Sequence, residues 1–127
     1  MLTEHEIQFR VRYKETDAMG FLHHANYAVF FEMGRTELLR AQGGNYREME
    51  ESGLFMVVVR LSSHFRKSAR YDDLLTLKTC IKRVGAAKLE HEYFLYRDGV
   101  LLCEGASTLA CINKDGQVQP IPDSFRG

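Results

Sequence analysis

The chain carries no net charge: 17 Lys and Arg balance 17 Asp and Glu over 127 residues. A general nucleic-acid or anionic-membrane role therefore lacks its electrostatic footprint. A local basic patch for a phosphate-bearing ligand stays open. Cysteine is scarce too. Cys80, Cys103 and Cys111 are an odd set without CxxC spacing, which argues against a disulfide framework or a zinc site. Each falls in a strand-like run and reads as a buried, reduced thiol. No apolar run approaches the ~18 residues of a membrane span. The first residues, MLTEHEIQFR, lack the apolar core of a secretory signal. P-loop and Rossmann glycine patterns, repeats and low-complexity segments are missing as well. One cytoplasmic domain over residues 1–127, with no nucleic-acid or membrane partner, is the expectation.

What is present alternates clearly. Ile7, Phe9, Val11 and Tyr13 share one side of a strand over Glu6 to Tyr13, a half-buried pattern. Lys14 to His24 breaks the period, with Gly20 inside it, and reads as an ordered loop. Ala25 to Gln42 has helical spacing. Tyr27, Phe30, Phe31, Gly34, Leu38 and Ala41 fall on one broad face, which Ala28, Val29 and Met33 widen. A helix apolar over most of its girth is enclosed by other elements. Glu32–Arg35 and Glu37–Arg40 stand at pairing distance, and Gly43 and Gly44 stop the helix. A short second helix is expected over residues 46–51. Strands follow at Leu54 to Lys67, Leu74 to Val84, Lys88 to Arg97 and Val100 to Ile112, with hairpin turns at Asp98-Gly99 and Asp115-Gly116. Pro120 and Pro122 end regular pairing. This order predicts an α+β fold. One helix covers a five-stranded sheet only if the sheet curls round it. An unpaired sheet edge also invites a second subunit.

The stretch Tyr13-x-Glu15-Thr16-Asp17-x-x-Gly20, His24-Ala25-Asn26-Tyr27 and Phe31-Glu32-x-Gly34-Arg35-Thr36-Glu37 resembles the hotdog fold. Within that fold it is similar to the 4-hydroxybenzoyl-CoA thioesterase family, including its YbgC-type acyl-CoA thioesterase branch. Phe65 to Asp73 resembles that family's loop between the second and third strands. The resemblance implies a curved five-stranded antiparallel sheet wrapped around one long central helix. It also implies hotdog dimers joined into homotetramers, active sites at the dimer interface, and hydrolysis of acyl-CoA thioesters.

Such hydrolysis needs an oxygen nucleophile, charge stabilisation at the carbonyl oxygen and a slot for the thiol carrier. Asp17 is the candidate for the first, either attacking directly or acting as general base on water. The bland alternative is an Asx turn. Free N–H groups at the helix start near His24 to Asn26 suit the second. The resemblance assigns that role to the backbone N–H at His24. Gly20 is expected to permit the tight loop, and Asn26 and Tyr27 to fix its junction with the helix; all three are also candidates for contact with the substrate. Adjacent histidines in an extended segment point apart, so His23 and His24 make a poor chelating pair and no metal is expected. The resemblance places an acyl-recognising acid at Glu32, with an ion pair to Arg35 as the alternative. For the CoA phosphates, Arg83 and Lys88 flank the third turn, with Arg66 and Lys67 behind them. That turn, Lys82 to Lys88, departs from the family's more basic pattern. CoA is part of the substrate, so no cofactor is expected; acyl carrier protein is a second possible carrier. The rivals are a hotdog dehydratase or hydratase recruiting His24 and Glu32, and a non-catalytic acyl-thioester binding module.

Overall fold

The computed structural model describes residues 2–126. Strand β1 (Glu4–Arg10) is followed by a 3-10 turn at Tyr13–Glu15, helix α1 (Ala25–Ala41) and helix α2 (Tyr46–Glu51). Strands β2 (Phe55–Phe65), β3 (Leu74–Val84), β4 (Leu89–Arg97), β5 (Val100–Ile112) and β6 (Val118–Gln119) complete the sheet, before a last 3-10 turn at Asp123–Arg126. The spatial order is β1-β3-β4-β5-β2, antiparallel throughout, with β6 paired to the end of β5. The sheet thus has a sixth, two-residue strand beyond the five expected. It forms because the Asp115-Gly116 turn, with Gly116 at φ 79°, folds the chain back before Pro120 stops pairing.

Local chemistry explains most boundaries. Asp98 and Gly99, at φ 49° and 77°, make the tight β4–β5 turn. Asn45 caps α2 by accepting the N–H groups of Arg47 and Glu48. Gly43, at φ 90°, lets the Gly44 N–H fold back onto the Leu39 carbonyl and close α1. Register shifts at Val58/Arg60 and Ile81/Arg83 mark bulges, which bend and twist the sheet.

Helix α1 lies on the inner face of β1, β3 and β4. Phe30, Phe31, Leu75, Leu77, Leu95 and Leu102 form one buried cluster under its first half. Leu39, Leu89, Leu109, Ile121 and Phe125 form a second at its far end. Thr79, His91 and Ser107 make a buried polar band, with the Tyr93 hydroxyl 2.5 Å from Ser107 Oγ.

Several expectations change. Tyr13 does not face inward; it is 78% exposed. β1 stops at Arg10 because Glu15 Oε1 accepts the Arg12 N–H (2.7 Å) and Oε2 accepts Arg12 Nη2 (2.9 Å), curling residues 12–15 into a turn. Ala41, the last residue of α1, is exposed. Val29 and Met33 are exposed as well, so within one chain α1 is covered on one side rather than enclosed. The Glu37–Arg40 pair forms, whereas no Glu32–Arg35 pair occurs among the described residues. Arg35 reaches instead towards the Tyr93 hydroxyl, at 3.5 Å. Among the described residues no helix is long and apolar enough to cross a membrane.

Candidate active site

The loop between the first 3-10 turn and α1 is built around Asp17. Its Oδ1 accepts the N–H groups of Met19 (2.9 Å) and Phe21 (3.1 Å). Its own N–H donates to the Phe21 carbonyl at 2.8 Å, and the Gly20 N–H donates to the Asp17 carbonyl at 3.0 Å. Gly20 sits at φ 82°, a conformation that favours glycine and closes the turn. Asp17 does therefore form an Asx turn, and only one of its oxygens is spent on it. The residue is exposed, and its Oδ2 has no hydrogen-bond partner among the described residues.

Glu15 anchors the loop from below. It is 4% exposed, and its carbonyl accepts both the His23 N–H (2.8 Å) and Asn26 Nδ2 (2.9 Å). Asn26 thus fixes the loop-to-helix junction. Burial pushes the Glu15 carboxyl up, but the Arg12 side chain and N–H outweigh it and hold the carboxyl below its ordinary range. In the sequence Glu15 stands only as part of the stretch that carries the resemblance, and its place between Lys14 and Thr16 gives no hint of burial.

At the helix start, the Ala25 N–H donates to His23 Nδ1, the Asn26 N–H to the His23 carbonyl and the Tyr27 N–H to the His24 carbonyl. The His24 N–H finds no acceptor among the described residues. It is a spare donor at the positive end of a 17-residue helix. The two imidazoles do not point apart. They stack, with centroids 4.3 Å apart, because His24 already has helical angles (φ −57°, ψ −29°) rather than extended ones. Among the described residues no group of three or more His, Cys, Asp or Glu is placed to hold a metal ion.

Asp17, His24, Tyr27, Phe65, Arg66 and Lys67 line one cleft of about 290 Å³. Tyr27 is buried beneath it, edge-on to Phe65 with centroids 4.8 Å apart. Burial pushes the Tyr27 hydroxyl up to about 12, so it stays protonated. Arg66 Nε donates to Glu104 at 3.0 Å, which occupies part of its charge. In the sequence Phe65 falls near the end of the strand expected over Leu54 to Lys67 and opens the stretch that resembles the family's following loop, with no role in a site. Its role as a cleft wall comes from the register of β2 on β5.

The remaining candidates lie elsewhere in the chain. Glu32 lines a separate cleft with Arg35, Thr36, Tyr46, Glu50 and Met56. Arg83 and Lys88 flank the β3–β4 turn, while the Asp17 loop bridges to Arg70, just before β3 starts. One chain therefore does not bring either set to Asp17. The three cysteines are free. Burial pushes their thiols up, Cys103 to about 11, which keeps them unreactive.

The sequence profile of the family described as the thioesterase superfamily matches residues 19–104. The chain is 34% identical over 109 residues to the putative acyl-CoA thioesterase YneP of Bacillus subtilis, covering 85% of this chain and 79% of that protein. It is 35% identical over 113 residues to the acyl-CoA thioesterase YbgC of Haemophilus influenzae, covering 88% and 82%. A solved structure of a DHNA-CoA thioesterase from Staphylococcus aureus superimposes with a TM-score of 0.88 at 30% identity, over 94% of this chain and 80% of that one.

Proposed function

Since this chain belongs to the thioesterase superfamily and has its hotdog fold, we propose that it hydrolyses acyl-CoA thioesters to a free acid and CoA. One observation carries the reading: the unspent Oδ2 of Asp17 and the spare N–H of His24 belong to residues that line the same cleft. A thioester carbonyl whose oxygen faces the His24 N–H presents its carbon to the acid. Asp17 then either attacks that carbon, giving a mixed anhydride that water hydrolyses, or draws a proton from an attacking water. In both routes negative charge builds on the carbonyl oxygen, and the His24 N–H with the helix dipole behind it stabilises that charge. The C–S bond breaks, and the thiolate leaves with CoA and takes up a proton. The exposed Lys67 and the partly engaged Arg66 supply positive charge beside the cleft for the phosphates.

The subunit arrangement is part of the proposal. β2 is an edge strand exposed along most of its length, and pairing it with the same strand of a second copy would close that edge. Dimers joined into a tetramer are the assembly we propose, with Glu32, Arg83 and Lys88 meeting a neighbouring copy's substrate. An acyl-CoA substrate and three free thiols suit a cytoplasmic site of action; acyl carrier protein is the alternative carrier.

The test is free-thiol release from aromatic, short-chain and long-chain acyl-CoAs and from acyl carrier protein. Turnover of at least one is expected. Thermal stabilisation by CoA esters without turnover would establish a binding module instead.

A further inference from the structure

Asp17 owes its orientation to Phe21, and Phe21 is itself held from outside the loop. Its N–H and carbonyl both bond to Asp17. Its backbone forms an antiparallel bridge with Arg70, on the segment between β2 and β3. The Arg70 guanidinium lies over the Phe21 ring, 4.4 Å from its centroid. The same guanidinium passes within 3.9 Å of where a Gly20 Cβ would stand, so it roofs the turn that presents the acid. Arg70 is fixed in turn. Its N–H donates to Asp73 Oδ2 at 2.8 Å, and Arg97, at the end of β4, donates Nη1 to that same oxygen at 2.9 Å. Arg97 Nη1 also reaches the Ser68 carbonyl at 3.1 Å.

We propose that Arg70 is a positioning residue for Asp17: its guanidinium, carried by a backbone that Asp73 and Arg97 hold in place, packs on the Phe21 ring and keeps the Asx turn in its reactive shape. This rests on Asp17 acting in thioester hydrolysis. Arg70 does not line the cleft, so it acts through Phe21 and not on substrate. A cation over an aromatic ring is a modest interaction, but small displacements of a reacting group are costly to rate.

The experiment compares Arg70→Met, Arg70→Lys and Phe21→Leu with the unmodified protein, on whichever acyl-CoA is turned over best. Arg70→Met should lower kcat about five- to tenfold with KM unchanged, and Arg70→Lys should restore most of it. Phe21→Leu should give a similar loss that does not multiply with that of Arg70→Met. In an Asp17→Asn background Arg70→Met should cost nothing further. Hydrogen exchange at the Met19 and Phe21 amides should quicken in Arg70→Met while exchange within α1 stays put. This last readout needs no substrate, so it judges Arg70 even if no acyl-CoA is hydrolysed, an outcome that would fall on the proposed activity alone. Unchanged kcat with unchanged exchange overturns the proposal. So does a rise in KM alone, or a loss that persists with Asn at position 17.

Discussion

The Phe31 ring lies against bare backbone at Gly105: a Cβ built there would come within 2.4 Å of the ring. The same ring stacks on Tyr93, with centroids 4.4 Å apart and planes 13° apart, and Tyr93 is the β4 residue paired with Gly105. The slot lets α1 settle onto the sheet. Gly105→Ala should therefore force the helix outward and cost about 1–3 kcal/mol. Thermal or urea unfolding will show it, and an unchanged midpoint would mean that the helix sits more loosely than described.

The two oxygens of Asp17 can be separated by substitution. Asn keeps the acceptor for the Met19 and Phe21 N–H groups but removes the ionised oxygen. Asp17→Asn should leave thermal stability as it was and lower kcat by about 10²–10⁴-fold. Asp17→Glu keeps the charge on a longer arm and should loosen the turn, giving low kcat together with lower stability. A thioesterase whose kcat survives Asp17→Asn would remove Asp17 from the chemistry.

A backbone donor is not deleted by trimming its side chain. His24→Ala should change kcat by only a few-fold. His24→Pro suits the observed φ of −57° and removes the N–H. It should lower kcat by about 10²–10³-fold, the effect of losing one donor of this kind. Equal effects of Ala and Pro would point to the imidazole instead.

Two buried groups shape the response to acid. Burial, reinforced by Arg35, pushes the His91 imidazole down to about 4. An unfolded histidine titrates near ~6.5, so between those values the unfolded chain binds a proton that the folded one refuses. Stability from this group is whole above pH ~6.5 and drains as pH falls towards 4. Glu15, with its carboxyl held low, keeps its contribution above about 4.3 and loses it as pH falls through the lower folded value. Denaturant titrations from neutral to acid pH should resolve both windows. His91→Leu should flatten the upper one only. Glu15→Gln should cost about 1–3 kcal/mol at neutral pH and flatten the lower one only. An upper window that persists in His91→Leu would assign it to other groups.

Val58, Val59, Leu61 and Phe65 are exposed along β2. Sedimentation at micromolar concentration should give a multiple of the 14.6 kDa chain mass. Leu61→Lys should shift it towards the single chain. A wild-type protein that sediments as one chain would refute strand pairing between copies.

Alternation made the strands legible. Leu75, Leu77 and Thr79 on β3, and Leu89, His91, Tyr93 and Leu95 on β4, all face inward as their spacing predicts. The helix was legible from its three-to-four-residue spacing, whereas Asp17 stood out through the family resemblance and not through any period. Side-chain hydrogen bonds were not. The Arg12–Glu15 contact that ejects Tyr13 from β1 looks in sequence like one charge near a strand end and another in the loop after it. The stacked His23 and His24 depend on a single residue turning helical one position early. Nor could spacing place β2 beside β5 rather than β3, because that choice belongs to long-range pairing. It decides that Phe65 walls the Asp17 cleft while Arg83 and Lys88 do not.

The slot at Gly105 has a consequence for synthesis on the ribosome. Residues 25–41 are made early, yet the surface that receives them is assembled from β3, β4 and the glycine of β5. Seventy-four residues separate Phe31 from Gly105 in the chain. The nascent protein must hold its most apolar helix without a home until the last long strand has emerged, and that interval is when it is most in need of a chaperone.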